Sequence, residues 1–192
     1  MHTVQITGGL VLGKRGFGEG SARVAVLTRD LGLVYARAQS SRLDKSKLRY
    51  GLESLSFGRF SFVKGKNEWR LTGVEDVSRL FPRLSSVRTA MGRVSALLLR
   101  LLVGQEHTPS LFETVSEGLR TLARATIQEE VDAIETVLVL RILSHLGYLP
   151  HTTELAPFIQ TDFASLELSQ AAARSKKLLI RAINASLQAT GL

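Results

Sequence analysis

The stretch Ser54–Val63 reads SLSFGRFSFV, and its alternation decides the fold class of the first half of the chain. Leu55, Phe57, Phe60 and Phe62 are apolar at a spacing of two, and the phase changes at Gly58. Residues two apart share one face of a strand, so this is a half-buried strand with a bulge or barrel bend at the glycine. Towards the N-terminus, Val4, Ile6, Leu10 and Leu12 alternate through a first strand. VAVLT (Val24–Thr28) makes a second and LVYARA (Leu33–Ala38) a third. Asp30-Leu31-Gly32 turns between those two, with Gly32 free to take positive φ. Towards the C-terminus, Lys64-Gly65-Lys66-Asn67 is a hairpin turn into WRLTGV (Trp69–Val74). Five short strands with glycine at the bends read as a small closed barrel of the OB type, with Phe62 and Trp69 in its core. On periodicity alone an SH3-like barrel fits nearly as well.

From Glu75 onward the period becomes helical. Leu80–Val103 carries apolar residues at spacings of three and four and stops at Gly104. Thr108-Pro109 opens a second helix that runs to about Ala125. Thr126, with Glu129 three residues later, forms a capping-box pattern heading a helix to Leu146, which Gly147 and Pro150 end. A last helix is expected over Ser169–Gln188, with Ala171, Leu178, Leu179, Ile183 and Leu187 as its buried stripe. The expected architecture is α+β: an N-terminal OB-fold barrel over residues 1–76, then an all-α bundle of four or five helices over 77–192. The join holds no flexible linker, so the two parts are expected to pack.

The chain has 192 residues, 44% of them apolar, which suits a globular protein. Its longest apolar runs, Ala96–Val103 and Val137–Leu143, are interrupted by Arg100 and Arg141 and are too short to span a bilayer. MHTVQITGG lacks the basic flank and apolar block of a secretory signal, so a cytoplasmic location is expected. With no cysteine, disulfides, thiolate catalysis and cysteine-ligated zinc are excluded. The net charge of +8 is uneven. Residues 1–76 hold thirteen Lys/Arg against seven Asp/Glu, and the remainder twelve against ten. A domain that cationic attracts polyanions, nucleic acid foremost; the plainer alternative is a surface kept basic for solubility.

Enzyme chemistry finds little support. His2, His107, His145 and His151 are scattered outside any metal-ligand spacing, and His145, near a helix C-terminus, reads as structural. Glu129, Glu130, Asp132 and Glu135 occupy the first turns of a helix, where the dipole and solvent stabilise carboxylates. LGKRGFGEG (Leu12–Gly20) lacks the Gly-Lys-Ser/Thr ending of a phosphate loop and leads into no helix. No catalytic residue, cofactor or metal site is assigned. The cations are more informative. Lys14, Arg15 and Arg23 flank the glycine-rich turn and Arg37 ends the third strand. SSRLDKSKLRYG (Ser40–Gly51) presents Arg42, Lys45, Lys47 and Arg49 against Asp44 alone. Such a loop can lie along a phosphate backbone, or can simply be solvated. Phe17, Tyr35, Tyr50, Phe57 and Phe60 interleave with these cations; most such rings serve as core, and Phe17 is the one expected exposed. The expected DNA-contact set is Lys14, Arg15, Phe17, Arg23, Arg37, Arg42, Lys45, Lys47, Arg49 and Tyr50.

These residues also carry a family resemblance. VLGKRGFGEGSARVAVLTRDLGLV (Val11–Val34), SSRLDKSKLRYGLESLSFGRF (Ser40–Phe60) and KGKNEWRLTGVE (Lys64–Glu75) resemble, in that order, the N-terminal domain of RecO, the bacterial recombination mediator and strand-annealing family. RILSHLGYLP (Arg141–Pro150) and LSQAAARSKKLLIRAINASL (Leu168–Leu187) resemble its helix ending in Leu-Gly-Tyr and its closing helix. The resemblance implies an OB-fold joined to a helical domain. It implies binding of single- and double-stranded DNA, annealing of complementary strands, and partnership with RecR and single-stranded-DNA-binding protein in loading RecA. Family members often carry a four-cysteine zinc module after the Leu-Gly-Tyr helix; this chain has no cysteine and only Leu149–Leu166 there, so zinc is not carried over. The family's Ala-Lys-Gly lead into the basic loop stands here as Ala38-Gln39-Ser40, one cation fewer. Val137 and Val139 stand where members can have Arg and Glu, so the pocket for the tail of the single-stranded-DNA-binding protein is unassigned. The readings from other classes are an RNA-binding OB protein, and an interaction scaffold whose helical bundle is the working surface.

Overall fold

A computed structural model of the chain describes residues 3–39, 48, 50–102, 109–150, 152–163 and 165–189. They divide into two compact units, Met1–Leu80 with Ser95–Phe112, and Phe81–Val94 with Glu113–Leu192.

In the first unit, β1 (Val4–Phe17), β2 (Ser21–Thr28), β3 (Gly32–Ala38), β4 (Ser56–Lys64) and β5 (Trp69–Arg79) form a closed barrel in the order β1-β2-β3-β5-β4. β1 pairs with both β2 and β4, and the parallel β3–β5 pair closes the ring. This is the OB arrangement. The expected irregularity at Gly58 is a shift in the β4–β5 register between Phe57 and Arg59. A Cβ on Gly58 would lie 3.0 Å from the Glu75 carbonyl oxygen, so a glycine allows the strands their close approach there.

Of the alternating apolar residues of β1, Val4 and Ile6 are exposed, Leu10 and Leu12 are buried, and Gly9 and Val11 are directed into the barrel. LGKRGFGEG is mostly strand: β1 stays paired with β2 up to Phe17 opposite Ser21, leaving residues 18–20 as the turn, with Gly18 at φ 62°. Backbone pairing carries the strand past the point where its apolar pattern ends.

The barrel core packs Val11, Val24, Val26 and Val34 around Phe60, Phe62 and Trp69. Phe60 and Phe62 stack with centroids 6.1 Å apart, and Trp69 meets Phe62 edge-on at 6.3 Å. Phe57 and Phe60 are buried, which removes both from the list of rings open to a ligand.

The helices are α1 (Ser85–Leu101), α2 (Pro109–Arg124), α3 (Gln128–His145), α4 (Ala156–Gln160), α5 (Leu166–Arg174) and α6 (Lys176–Ala189). The helix expected over Ser169–Gln188 is divided at Ser175, whose φ −97° and ψ 12° depart from helical geometry. Within the second unit α3 is central, meeting α4, α5 and α6. Gly118 lets α2 approach it, since a Cβ there would lie 2.6 Å from Leu138 Cδ1. Glu135 on α3 takes a two-pronged ion pair from Arg93 on α1, and Asp132 one from Lys176 on α6. The acidic cluster is therefore partly spent on helix–helix links. Capping also shifts by one position: Glu130, not Glu129, accepts from the Thr126 N–H at 2.8 Å, and Ile127 is the N-cap.

Beyond α3, Arg141 organises the return of the chain. Its buried guanidinium donates to the Phe158 carbonyl (2.8 Å) and the Thr161 carbonyl, and its centre stands 3.9 Å from the Phe163 ring centroid. Burial lowers its pKa while the carboxylates of Glu117 and Asp162 oppose that shift. His145 pairs with the Thr114 hydroxyl at 2.8 Å. Burial and the neighbouring Arg141 lower its pKa. No helix among the described residues is long and apolar enough to cross a membrane.

The tight interior at Gly9 gives a direct test of barrel packing. A Cβ on Gly9 would lie 2.7 Å from Val26 Cγ1 and 2.8 Å from Phe60 Cδ2, whereas one on Gly8 meets nothing within 4 Å. Gly9→Ala should cost about 1–3 kcal/mol through overpacking, and Gly8→Ala should leave the thermal midpoint of unfolding nearly unchanged.

Candidate nucleic-acid interface

Barrel register assembles a row of arginines that sequence order conceals. Val24 and Val26 face the core, so Arg23 and Ala25 between them face outward; likewise Val34 and Ala36 leave Tyr35 and Arg37 outward. Arg15 on β1 pairs with Arg23 on β2, Arg23 with Arg37 on β3, and Arg37 with Arg70 on β5. Four guanidinium-bearing residues thus cross four adjacent strands on one outer face, a row about 14 Å long at normal strand spacing. Arg15, Arg23 and Arg70 are exposed and Arg37 is half-buried.

Like charges directly opposite one another destabilise a sheet. Two devices moderate the repulsion. Glu68 lies 3.6 Å from Arg23 and 3.9 Å from Arg37, distances of loose, solvent-screened ion pairing. The Phe17 ring is approached by both guanidiniums, with centroid distances of 4.9 Å to Arg23 and 5.0 Å to Arg37. Phe17 is exposed as expected, at 38%, yet its ring already serves as a counter-surface for two cations. Among the described residues, the buried Nε of Arg37 has no hydrogen-bond partner. Arg37 borders a cavity of about 540 Å³ shared with Gln39, Glu68, Arg70 and Thr72. Cations bordering a cavity beside the half-buried Glu68 carboxylate form a site suited to oxyanions.

The expected contact residues divide accordingly. Arg15, Phe17, Arg23 and Arg37 come together. Lys14 points to the other side of β1 and pairs with Glu53 at 3.0 Å. Tyr50 is 69% exposed on the 3-10 turn Tyr50–Leu52, a separate element. Arg42, Lys45, Lys47 and Arg49 lie outside the described residues. Arg70 was missed, although WRLT carries its signal: Trp69 and Leu71 are core residues, so the arginine between them must point outward. Arg59, another barrel cation, is taken by Glu75 (2.6 Å) and Asp76 (3.6 Å), which raise its pKa. Among the described residues no group of three His, Asp or Glu is arranged to hold a metal.

Residues 1–79 match the family model described as "Recombination protein O N terminal". The match makes residues 1–79 a RecO-type N-terminal domain. Similarity extends beyond the barrel: the DNA repair protein RecO of Alkaliphilus metalliredigens is 27% identical over 169 residues, 85% of this chain and 66% of that protein. RecO of Desulfitobacterium hafniense is 30% identical over 157 residues, 77% of this chain and 53% of the relative. RecO of Heliobacterium modesticaldum is 30% identical over 143 residues, covering 73% and 50%. The chain spans between half and two thirds of the length of these relatives.

Glu68 stands near both Arg23 and Arg37, so an oxyanion drawn to these guanidiniums would compete with it. Neutralising it should strengthen oligonucleotide binding by about two- to five-fold at low salt, the range of one exposed ion pair, and the gain should shrink as salt rises. Fluorescence anisotropy of labelled oligothymidylate with the Glu68→Gln chain measures this.

Proposed function

We propose that this chain is a DNA-binding repair protein that acts by binding and annealing strands, without chemical turnover. The supporting observation is the arginine row, three consecutive like-charge cross-strand pairs that cost folding energy and gain purpose from a polyanion laid across them. Family similarity points the same way, since the relatives above are named DNA repair proteins.

Phosphates of one strand exchange for Glu68 at Arg23 and Arg37 and extend to Arg15 and Arg70, releasing counterions. Strands so neutralised repel each other less and are held close enough to pair. Binding through phosphates suits both single- and double-stranded DNA. The basic stretch Ser40–Gly51 supplies four further cations in sequence, Arg42, Lys45, Lys47 and Arg49, as candidate phosphate contacts. RecR, single-stranded-DNA-binding protein and, through them, RecA are the partners that the RecO resemblance suggests. The work is assigned to the barrel of residues 1–76, with the helical domain of 77–192 available for protein partners.

Replacing Arg23, Arg37 and Arg70 together by alanine should flatten the slope of log affinity against log salt by about 2, at about 0.7 per single-strand phosphate contact. Annealing of complementary oligonucleotides should slow in parallel, while unfolding stays cooperative because like-charge repulsion is relieved. An unchanged slope would contradict the proposal.

A further inference from the structure

The same register creates a second row, two residues along each strand from the arginines. Gly13 on β1 pairs with Ala25 on β2, and Ala25 with Tyr35 on β3. Two positions without bulk sit beside a large ring. Tyr35 is 51% exposed, and among the described residues its side chain makes no ring contact or hydrogen bond. The depression so formed has a volume of about 430 Å³. Its walls are Tyr35 and Leu99 of α1, its floor Gly13 and Ala25, and its rim Arg15 and Arg23. The next row inward, Leu10, Leu27 and Leu33, is fully buried. The outer face therefore grades from covered leucines, through a notch with an aromatic wall, to the cations.

We propose that this notch receives one unpaired nucleobase, stacked on Tyr35, while Arg15 and Arg23 hold the flanking phosphates. The inference rests on the DNA-binding reading above and adds a base-binding subsite to it. Three features carry it. Tyr35 is a planar apolar surface left facing solvent at the edge of a cationic row, whereas Phe17, the other exposed ring on this face, already lies against two guanidiniums. Gly13 and Ala25 add little side-chain bulk to the depression: Ala25 is buried, and a Cβ on Gly13 would stand 3.6 Å from Leu99 Cδ1, so Leu99 is the side chain that borders the floor. Residues two apart on a strand are separated by about 6.6 Å, so a base in the notch keeps its own phosphate within reach of the arginine row. Base stacking on an aromatic wall is tolerant of sequence, since every base has a π-face. A paired base is already stacked within its duplex and offers no free face, so the notch selects single strands where the arginines do not.

The test uses the full chain and two probes of equal length, oligothymidylate and an abasic deoxyribose-phosphate oligomer. Tyr35→Ala should weaken binding of oligothymidylate by about 5- to 150-fold. It should leave the abasic oligomer unaffected, and Tyr35→Phe should retain the original preference. If the unaltered chain binds both probes equally and Tyr35→Ala changes neither, the notch is overturned and the arginine row stands. Equal weakening on both probes would also overturn it, since Tyr35 would then act through the fold. If neither probe binds, the DNA-binding reading fails and the subsite with it.

Discussion

Ala36 beside Trp69, Arg37 beside Arg70 and Ala38 beside Leu71: these three parallel pairs between β3 and β5 close the barrel. The outer two are core positions, with Trp69 and Leu71 buried against the small side chains of Ala36 and Ala38. Once they are set, the middle pair must face outward on the same side, and Arg37 meets Arg70. β1–β2 and β2–β3 pairing then fix Arg15 and Arg23 in line with them. The basic surface is thus a consequence of how the core closes. A one-residue slip would turn arginines inward and core residues out, at a cost the barrel could not bear.

Charge concentrated this way is expensive for the fold. Elsewhere cations have close acidic partners, as Arg59 has Glu75 and Arg93 has Glu135. Along the row, Arg23 and Arg37 share the Glu68 carboxylate and the Phe17 ring among the described residues. Sites that sacrifice stability against the general rules of packing and pairing are where function concentrates. On the proposed reading, a strand of nucleic acid is the counterpart to this imbalance.

Much of the fold was readable because strand and helix periods are local properties. SLSFGRFSFV declared its strand, its bulge and its core rings within ten residues. What escaped depended on contacts between distant residues. The inward face of β1 is held by Gly9, which carries no hydropathy signal, and the extension of β1 to Phe17 rests on pairing with β2. The basic segments Lys14–Arg23 and Arg42–Arg49 stand out in one dimension, whereas Arg70 becomes visible only through the register that sets it beside Arg37. Tyr35 reads as one aromatic among several until Gly13 and Ala25 are found on its flank. Arg141, in an apolar run, gave no hint of the two carbonyls it holds on the segment beyond α3.

The central claim is that one outer face of the barrel, over β1, β2, β3 and β5, carries the nucleic acid. Titrating the isotopically labelled full chain with a short oligothymidylate and following backbone amide shifts by NMR tests it most directly. The account predicts that the largest shifts fall at Arg15, Arg23, Tyr35, Arg37 and Arg70. Shifts centred instead on Arg59 and Ser61 of β4, or on α3 to α6, would contradict it.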